Sequence, residues 1–154
     1  MVILNTFVII VAKYFFIIPI LIWIYVFLSV KRSQMKRIIV FSALSGLIAI
    51  LLGFLAGNLY FDTRPFVAGN YVPLIPHSVD NGFPSDHTLV AAVASSIIIL
   101  MSLNFGIVSW ALTLLVGWAR VYAGLHHWID VIGAIVIAAI SCSIAYWITK
   151  KTFD

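Results

Sequence analysis

Five apolar runs separated by more polar segments constrain the fold of this 154-residue sequence more than any other feature. A helix needs about 20 apolar residues to cross the hydrocarbon core of a bilayer. We therefore predict an all-α polytopic membrane helix bundle of about five transmembrane helices. Residues 1–12 are apolar but too few to cross, which favours an N-terminal interfacial helix. The runs cover residues 14–30, 38–58, 85–101, 106–123 and 129–149.

Composition excludes several other classes of protein. Charged residues make up 9% of the chain and hydrophobic residues 64%, whereas soluble domains average about 25% charged residues. A soluble globule and a disordered chain are both excluded. The net charge of +4 is spread thinly, so we expect the bilayer and no nucleic acid as a partner. The length allows one integral-membrane domain over residues 1–154, without a second soluble domain.

The long irregular segment at residues 59–84 separates the second run from the third. It holds four of the five prolines of the chain, and proline removes a backbone donor and breaks regular structure. A loop of this length in a compact domain is usually functional. We therefore expect the loop to form part of a site.

Basic residues predict how the chain is oriented in the membrane. Residues 31–37 carry four basic side chains, and Lys150 and Lys151 follow the last run. Cytoplasmic segments are enriched in Lys and Arg, and four crossings between the two basic segments place both on the same side. We predict an integral plasma-membrane protein with loop 59–84 and the turn at 124–128 on the extracytoplasmic face.

Two histidines and a carboxylate in the predicted extracytoplasmic segments form a candidate catalytic group. His126 and Asp130 are four residues apart, so on a helix they share a face and the carboxylate accepts the Nδ1 proton. The other imidazole nitrogen then serves as a nucleophile or base. His87 supplies a second imidazole, which suits a general acid for a leaving oxygen.

Two arginines and a helix start complete the candidate site. Arg64 and Arg120 carry planar guanidinium groups that match the oxygens of a phosphate. Ser85 follows a proline at a predicted helix start, where a hydroxyl and free backbone N–H groups bind anions. Together these residues predict a phosphoryl-transfer site.

Structural interpretations of the same residues remain open. Arg64 could pair with Asp62, and Arg120 with Asp130, as structural ion pairs. His127 fits a supporting or interfacial position better than a catalytic one. His77 and Asp80 could equally order the loop or contact the substrate.

A metal site built from these imidazoles and the carboxylate is a further alternative. Its ligands would be His87, His126, His127 and Asp130. Two neighbouring arginines would repel a divalent cation, and the sequence has no HExxH or cysteine pattern for zinc. We therefore expect neither a metal nor another cofactor.

Three motifs in this order resemble a known family. The order Arg64-Pro65, then residues 84–87 (Pro-Ser-Asp-His), then Arg120-x5-His126-x3-Asp130 resembles the type 2 phosphatidic acid phosphatase superfamily. The stretches 60–68, 74–77 and 83–88 resemble the bacitracin-resistance type of undecaprenyl-diphosphate phosphatase. The resemblance covers roughly residues 38–149.

The resemblance implies an activity and a mechanism. The expected reaction is metal-independent hydrolysis of undecaprenyl diphosphate, or another polyprenyl diphosphate, to the monophosphate, which recycles a cell-wall carrier lipid. His126 would form a phosphohistidine, Asp130 would orient it and His87 would protonate the leaving oxygen, while Arg64, Arg120 and Ser85 would bind the phosphate. Alternative substrates are phosphatidylglycerophosphate, phosphatidate and lipid A, and a scaffold or transporter subunit with a decayed site is the alternative class.

Three positions depart from the wider family. A lysine expected seven residues before Arg64 is Gly57, a glycine of the second motif is Asp86, and a serine before Arg120 is Ala119. We expect other groups to replace the lysine as a contact to the phosphates. The candidate substrate contacts are Asn58, Tyr60, His77 and Asp86.

Overall fold

A computed structural model of the chain describes residues 1–153, with side chains described through Lys151. Seven helices occur within this range, and the described residues form no strand beyond one isolated bridge between Thr63 and Asn81. The helices are α1 (Val2–Tyr14), α2 (Ile17–Leu28), α3 (Arg32–Leu59), α4 (Pro65–Ala68), α5 (Asp86–Met101), α6 (Leu103–Tyr122) and α7 (Trp128–Phe153). The all-α prediction is confirmed.

The helix lengths fit a membrane protein. Within the described residues, α3, α6 and α7 are long and apolar enough to cross a bilayer on their own. Helices α1 and α2 pass the same test as a pair, bent by 50° at the break between them. The 16 residues of α5 extend about 24 Å at the rise of an α-helix. Helices therefore occupy all the predicted crossings, although the first is bent and the third is short.

Two boundaries differ from the sequence prediction. The run at 14–30 does not begin a helix, because α1 continues to Tyr14 and the chain bends before Ile17. A turn predicted at 102–106 shrinks to Ser102, and α6 begins at Leu103. A Cβ on Gly106 would lie 2.4 Å from the Ile99 Cα, so the missing side chain lets α6 start directly against α5.

Helix α5 lies at the centre of the bundle and packs against α2, α3, α6 and α7. Its alanines explain this position, because Ala91 and Ala92 are fully buried and small side chains let helices approach closely. Three buried hydroxyls bind α5 to α6: Ser95 Oγ lies 2.6 Å from Ser109 Oγ and 2.9 Å from Thr113 Oγ1. The central helix thus has a fixed position, and the chain segment before it carries the second motif.

All three motifs lie at one end of the bundle. The basic start of α3 and the end of α7 lie together at the other end, where Arg37 and Thr149 line the same cavity. The end of α3, the start of α5, the end of α6 and the start of α7 therefore meet at the opposite end. Loop 60–85 crosses this end, and the Leu74 N–H donates to the Ala123 carbonyl at 3.1 Å.

Candidate active site

His126 lies in the short connection between α6 and α7. The chain leaves α6 through Gly124, whose φ of +77° favours glycine, and it then buries Leu125 and His126. The His126 Nδ1 lies 2.9 Å from the Gly82 carbonyl oxygen and 3.2 Å from Asp130 Oδ2. Both partners are acceptors, so Nδ1 carries the proton and Nε2 keeps its lone pair.

Two guanidinium groups flank that lone pair. Arg120 Nη2 lies 3.1 Å from His126 Nε2, and Arg64 Nη1 lies 3.4 Å from it. Both arginine side chains are at least nine-tenths buried. Two buried positive charges around an unprotonated ring nitrogen suit an anion, because guanidinium donors fit phosphate oxygens.

Arg64 is held in place by groups of the loop and of the α6–α7 connection. Its Nε donates to Asp80 Oδ1 at 2.6 Å, its Nη1 to the Leu125 carbonyl at 3.0 Å and its Nη2 to the Asn81 carbonyl at 3.3 Å. The ion pair is therefore with Asp80, not with Asp62 as one alternative proposed. Asp80 orders the loop around the arginine.

Arg120 has fewer partners. Its Nη2 donates to His77 Nε2 at 3.4 Å as well as to His126, whereas its Nε is buried and has no hydrogen-bond partner among the described residues. The proposed Arg120–Asp130 ion pair is absent from the described residues. A buried guanidinium with an unused donor leaves capacity for a bound anion.

Burial and the two arginines favour the neutral forms of His126 and His77. Burial lowers the pKa of His126 below its usual value, and Arg120 and Arg64 lower it further, although the hydrogen bond and charge of Asp130 act in the opposite direction. Burial and the same two arginines also lower the pKa of His77. A neutral His126 has the lone pair that nucleophilic attack requires.

Ser85 begins α5 as its N-cap residue and is fully buried. Its backbone N–H donates to the Asp130 carbonyl at 3.2 Å, and its hydroxyl lies 3.1 Å from Thr88 Oγ1. These bonds join the second motif to the third. The helix start is thereby fixed beside the His126–Asp130 pair.

His87 follows in the first turn of α5 and is half-buried. Among the described residues its imidazole makes no hydrogen bond. Its ring instead meets the edge of Phe16, with ring centroids 4.5 Å apart and an interplanar angle of 69°. No motif in the sequence points to Phe16, because this residue lies in an apolar stretch that precedes all three motifs.

The structure brings one of the four candidate substrate contacts to the arginines. His77 lies beside Arg120, as described above. Asn58 is exposed and its amide donates to the Phe54 carbonyl of its own helix at 2.7 Å. Tyr60 is exposed and packs against the Phe83 ring, and Asp86 is exposed in the first turn of α5. The Asn58 side chain bonds within α3, and a contact from Asn58 to the substrate stays a prediction.

Sequence reasoning missed Asn81, whose side chain makes four hydrogen bonds to backbone groups of the loop and of α3. Its amide Oδ1 accepts the backbone N–H groups of Asp62 and Phe83 at 2.9 and 3.0 Å. Its Nδ2 donates to the Gly57 and Tyr60 carbonyls at 2.8 and 3.0 Å. Asn81 therefore joins the end of α3 to the segments that carry the first two motifs.

Gly57, at the position of the family's lysine, faces this loop. A Cβ there would lie 3.1 Å from the Phe83 carbonyl oxygen and 3.8 Å from the Asn81 amide nitrogen. Phe83 and Asn81 thus fill the direction in which a side chain would leave α3. No room is left for a lysine without movement of the loop.

His127 forms a second histidine–carboxylate pair. Its Nδ1 lies 2.5 Å from Asp62 Oδ2, and its backbone N–H donates to Asp130 Oδ2 at 2.9 Å. Ligand atoms of these three residues lie within 4.8 Å of one another, a spacing that could hold a metal ion. His127 hydrogen-bonds to Asp62 through its ring and to Asp130 through its backbone. These contacts fit a supporting role for His127. The metal alternative raised from the sequence used His87 and His126 together with His127 and Asp130. This cluster contains Asp62 instead of His87 and His126.

Comparison with known proteins identifies the family. Residues 37–154 match the PAP2 superfamily. The chain belongs to this superfamily. Undecaprenyl-diphosphatase BcrC of Bacillus subtilis (strain 168) is 34% identical over 112 residues, which cover 71% of this chain and 56% of that protein. Putative undecaprenyl-diphosphatase YbjG of Escherichia coli (strain K12) is 26% identical over 111 residues, with the same two coverages. This PAP2 chain thus spans a little over half the length of these curated relatives.

Two solved structures share the fold. The crystal structure of Aquifex aeolicus LpxE superposes with a TM-score of 0.70 at 22% identity, covering 94% of this chain and 86% of that one. The transmembrane PAP2 type phosphatidylglycerolphosphate phosphatase from Bacillus subtilis gives a TM-score of 0.63 at 20% identity, covering 96% and 77%. The PAP2 fold therefore extends to the N-terminal helices, which lie outside residues 37–154.

Proposed function

We propose that this PAP2 chain is a membrane lipid phosphatase that hydrolyses a polyprenyl diphosphate, such as undecaprenyl diphosphate, to the monophosphate and inorganic phosphate. The observation that carries the proposal is His126 Nε2, a neutral and buried nucleophile between Arg64 and Arg120. Relatives named undecaprenyl-diphosphatase support the diphosphate substrate. The presence of His126, Arg64 and Arg120 together argues against the alternative of a scaffold or transporter subunit that has lost its catalytic residues.

The first chemical step transfers the terminal phosphoryl group to His126. The Nε2 lone pair forms a bond to the terminal phosphorus, and the bond from that phosphorus to the bridging oxygen breaks. The bridging oxygen takes the bonding electrons and a proton from His87, so the lipid monophosphate leaves. Arg64 and Arg120 stabilise the charge on the transferring oxygens, and Ser85 at the start of α5 supports them.

The second step hydrolyses the phosphohistidine. The bound His126 ring is then positively charged, and Asp130 and the Gly82 carbonyl stabilise it through Nδ1–H. A water molecule attacks phosphorus and gives its proton to His87, while the bond between Nε2 and phosphorus breaks. Inorganic phosphate leaves and both histidines return to their starting states. Two steps with a nitrogen nucleophile need no metal-activated water.

The loop supplies candidates for binding the second phosphate of a diphosphate. His77 lies against Arg120 and is half-buried, so its imidazole borders the same anion site. Asn58 and Tyr60, both exposed near the site's end of the bundle, are further candidates for contacts outside the transfer position. The monophosphate product is a better leaving group than an alkoxide, which lowers the demand for an additional cation such as the family's lysine.

Phosphate release from the detergent-solubilised protein tests the function. We expect a higher kcat/KM for farnesyl or undecaprenyl diphosphate than for phosphatidate and phosphatidylglycerophosphate, with activity unchanged by EDTA. A phospholipid monophosphate hydrolysed tenfold better, about 1.4 kcal/mol in transition-state binding, would make the phospholipid phosphatase the correct assignment. Activity that vanishes with EDTA and returns with a divalent ion would favour a metal at Asp62, His127 and Asp130.

We also propose that the active site faces the extracytoplasmic side. The two basic segments at the opposite end of the bundle support this orientation. Asn70 is exposed in the loop, so a cysteine there, in a Cys142→Ala background, reports the side. We expect an impermeant thiol reagent to label it from outside intact cells. Labelling only from the cytoplasmic side would reverse the orientation.

A further inference from the structure

The orientation of His87 depends on a residue outside the three motifs. A general acid must hold its proton toward the leaving oxygen, and hydrogen bonds usually fix such a ring. The His87 imidazole has no hydrogen-bond partner among the described residues. Its aromatic contact is the edge-to-face pair with Phe16 at 4.5 Å.

Phe16 lies at the bend between α1 and α2, and this bend is firmly anchored. Val8, Val11 and Ala12 of α1 are fully buried. They pack in one cluster with Ile75 and Leu125, which immediately precede Pro76-His77 and His126 in the sequence. Helix α1 therefore supports the same end of the bundle as the site, and Phe16 projects from a fixed position.

We infer that Phe16 is a positioning residue that orients His87 for protonation of the leaving oxygen. The inference rests on the proposed function and extends it to the N-terminal helix pair. Aromatic pairs in edge-to-face geometry favour one relative orientation of the rings. Without the Phe16 ring, the described residues give the His87 imidazole neither a ring contact nor a hydrogen bond that selects one rotamer, so fewer molecules hold the proton toward the substrate.

Leaving-group dependence distinguishes this role from a general loss of structure. Protonation accelerates the departure of an alkoxide strongly, whereas p-nitrophenolate leaves as a stable anion and needs little help from an acid. A positioning defect at His87 therefore lowers kcat/KM for an alkyl phosphate, whose first step needs the acid, and spares kcat/KM for p-nitrophenyl phosphate. A defect in folding, or in Arg64 or His126, slows both substrates alike.

The experiment compares kcat/KM for a short-chain alkyl phosphate and for p-nitrophenyl phosphate across a small set of variants, because kcat/KM includes the departure of the leaving group and excludes the later hydrolysis of the phosphohistidine. We expect Phe16→Ala to lose about tenfold on the alkyl phosphate, the upper range for an aromatic pair, and less than about twofold on p-nitrophenyl phosphate. Phe16→Tyr keeps the ring and should restore both rates. The matched control is Phe27→Ala, which removes a half-buried aromatic partner of Trp23 from the same helix α2.

The reference variant is His87→Ala. It should lose more activity than Phe16→Ala on the alkyl phosphate, and again far less on p-nitrophenyl phosphate. If His87→Ala slows both substrates equally, the acid assigned in the proposed function is wrong. If His87→Ala is selective but Phe16→Ala is not, the proposed function stands and Phe16 has no positioning role. An equal effect of Phe27→Ala and Phe16→Ala on the alkyl phosphate would also overturn the inference.

Discussion

Replacement of Asp130 by asparagine separates the charge of this side chain from its geometry. Asp130 Oδ2 accepts two N–H groups, His126 Nδ1 at 3.2 Å and the His127 backbone at 2.9 Å. An asparagine oxygen can accept both bonds in the same position. The Gly82 carbonyl, at 2.9 Å from Nδ1, still holds the proton on that nitrogen. The tautomer of His126 should therefore survive in Asp130→Asn.

The lost charge sets the expected magnitude. A hydrogen bond to a charged group contributes about 1.5–3 kcal/mol, and the charge of Asp130 matters most when His126 becomes positive on phosphorylation. At 1.36 kcal/mol per tenfold change in rate, we expect kcat to fall by about ten- to 150-fold. This loss is smaller than that of His126→Ala, which removes the nucleophile.

The pH profile supplies a second readout with a defined direction. Activity needs neutral His126, whose pKa burial lowers below its ordinary value of about 6.5, so the acid limb of kcat/KM lies below that pH. Asp130 acts to raise this pKa. Asp130→Asn should therefore move the acid limb to still lower pH, while the plateau falls. The substrate's own titration is common to both proteins and cancels from the shift.

Phosphate release from farnesyl diphosphate between about pH 4 and pH 9, a range that brackets the histidine pKa, measures both quantities. Melting temperatures of the two proteins in the same detergent control for unfolding. An Asp130→Asn plateau equal to that of the unchanged protein would refute the role of the charge. An acid limb that moves to higher pH would refute the assignment of the limb to His126.

Two further substitutions test the packing around the site. Gly82→Ala places a Cβ 3.1 Å from Asp130 Oδ2 and 3.2 Å from the Asp62 carbonyl. Because the groups that hydrogen-bond to His126 must then shift, kcat should fall by about tenfold or more. A kcat within twofold of the unchanged protein would show that the loop accommodates the methyl group without moving His126. Ser95→Ala removes the hydrogen bonds to Ser109 and Thr113. Denaturation in detergent should show a free energy of unfolding lower by about 0.6–2 kcal/mol, while kcat stays unchanged. An unchanged free energy of unfolding would contradict the role of these hydroxyls in joining α5 to α6.

The helical bundle was predictable from the sequence because apolar runs of this length have one main use in proteins. The residues Arg64, Arg120, His126 and Asp130 were predictable for a related reason. An apolar chain with few charges keeps those that lie near bilayer depth for a purpose. The four-residue spacing of His126 and Asp130 predicted their hydrogen bond, although His126 lies in the connection before α7 and not on a helix face.

Contacts between distant segments were not predictable. Asp80 rather than Asp62 pairs with Arg64 because the loop folds back over the arginine, and loop conformation leaves no periodic signal. Asn81 looked like an ordinary turn residue, and its four side-chain bonds depend on where α3 ends. Pro19 marks the break before Ile17, because its ring and missing N–H disrupt the bond to the Phe15 carbonyl four residues earlier. The position of Phe16 beside His87 depends on how the helices then pack, so it was visible only in the structure.

A covalent intermediate on His126 is the most direct test of the proposed chemistry. The protein is mixed with farnesyl diphosphate labelled in its terminal phosphate, quenched at alkaline pH within the first turnover and digested for mass spectrometry. We expect a phosphorylated histidine in the peptide that contains His126, with the same modification in His127→Ala and none in His126→Ala. Active protein that carries no phosphate on His126 at any quench time, or label on His127 instead, would contradict the account.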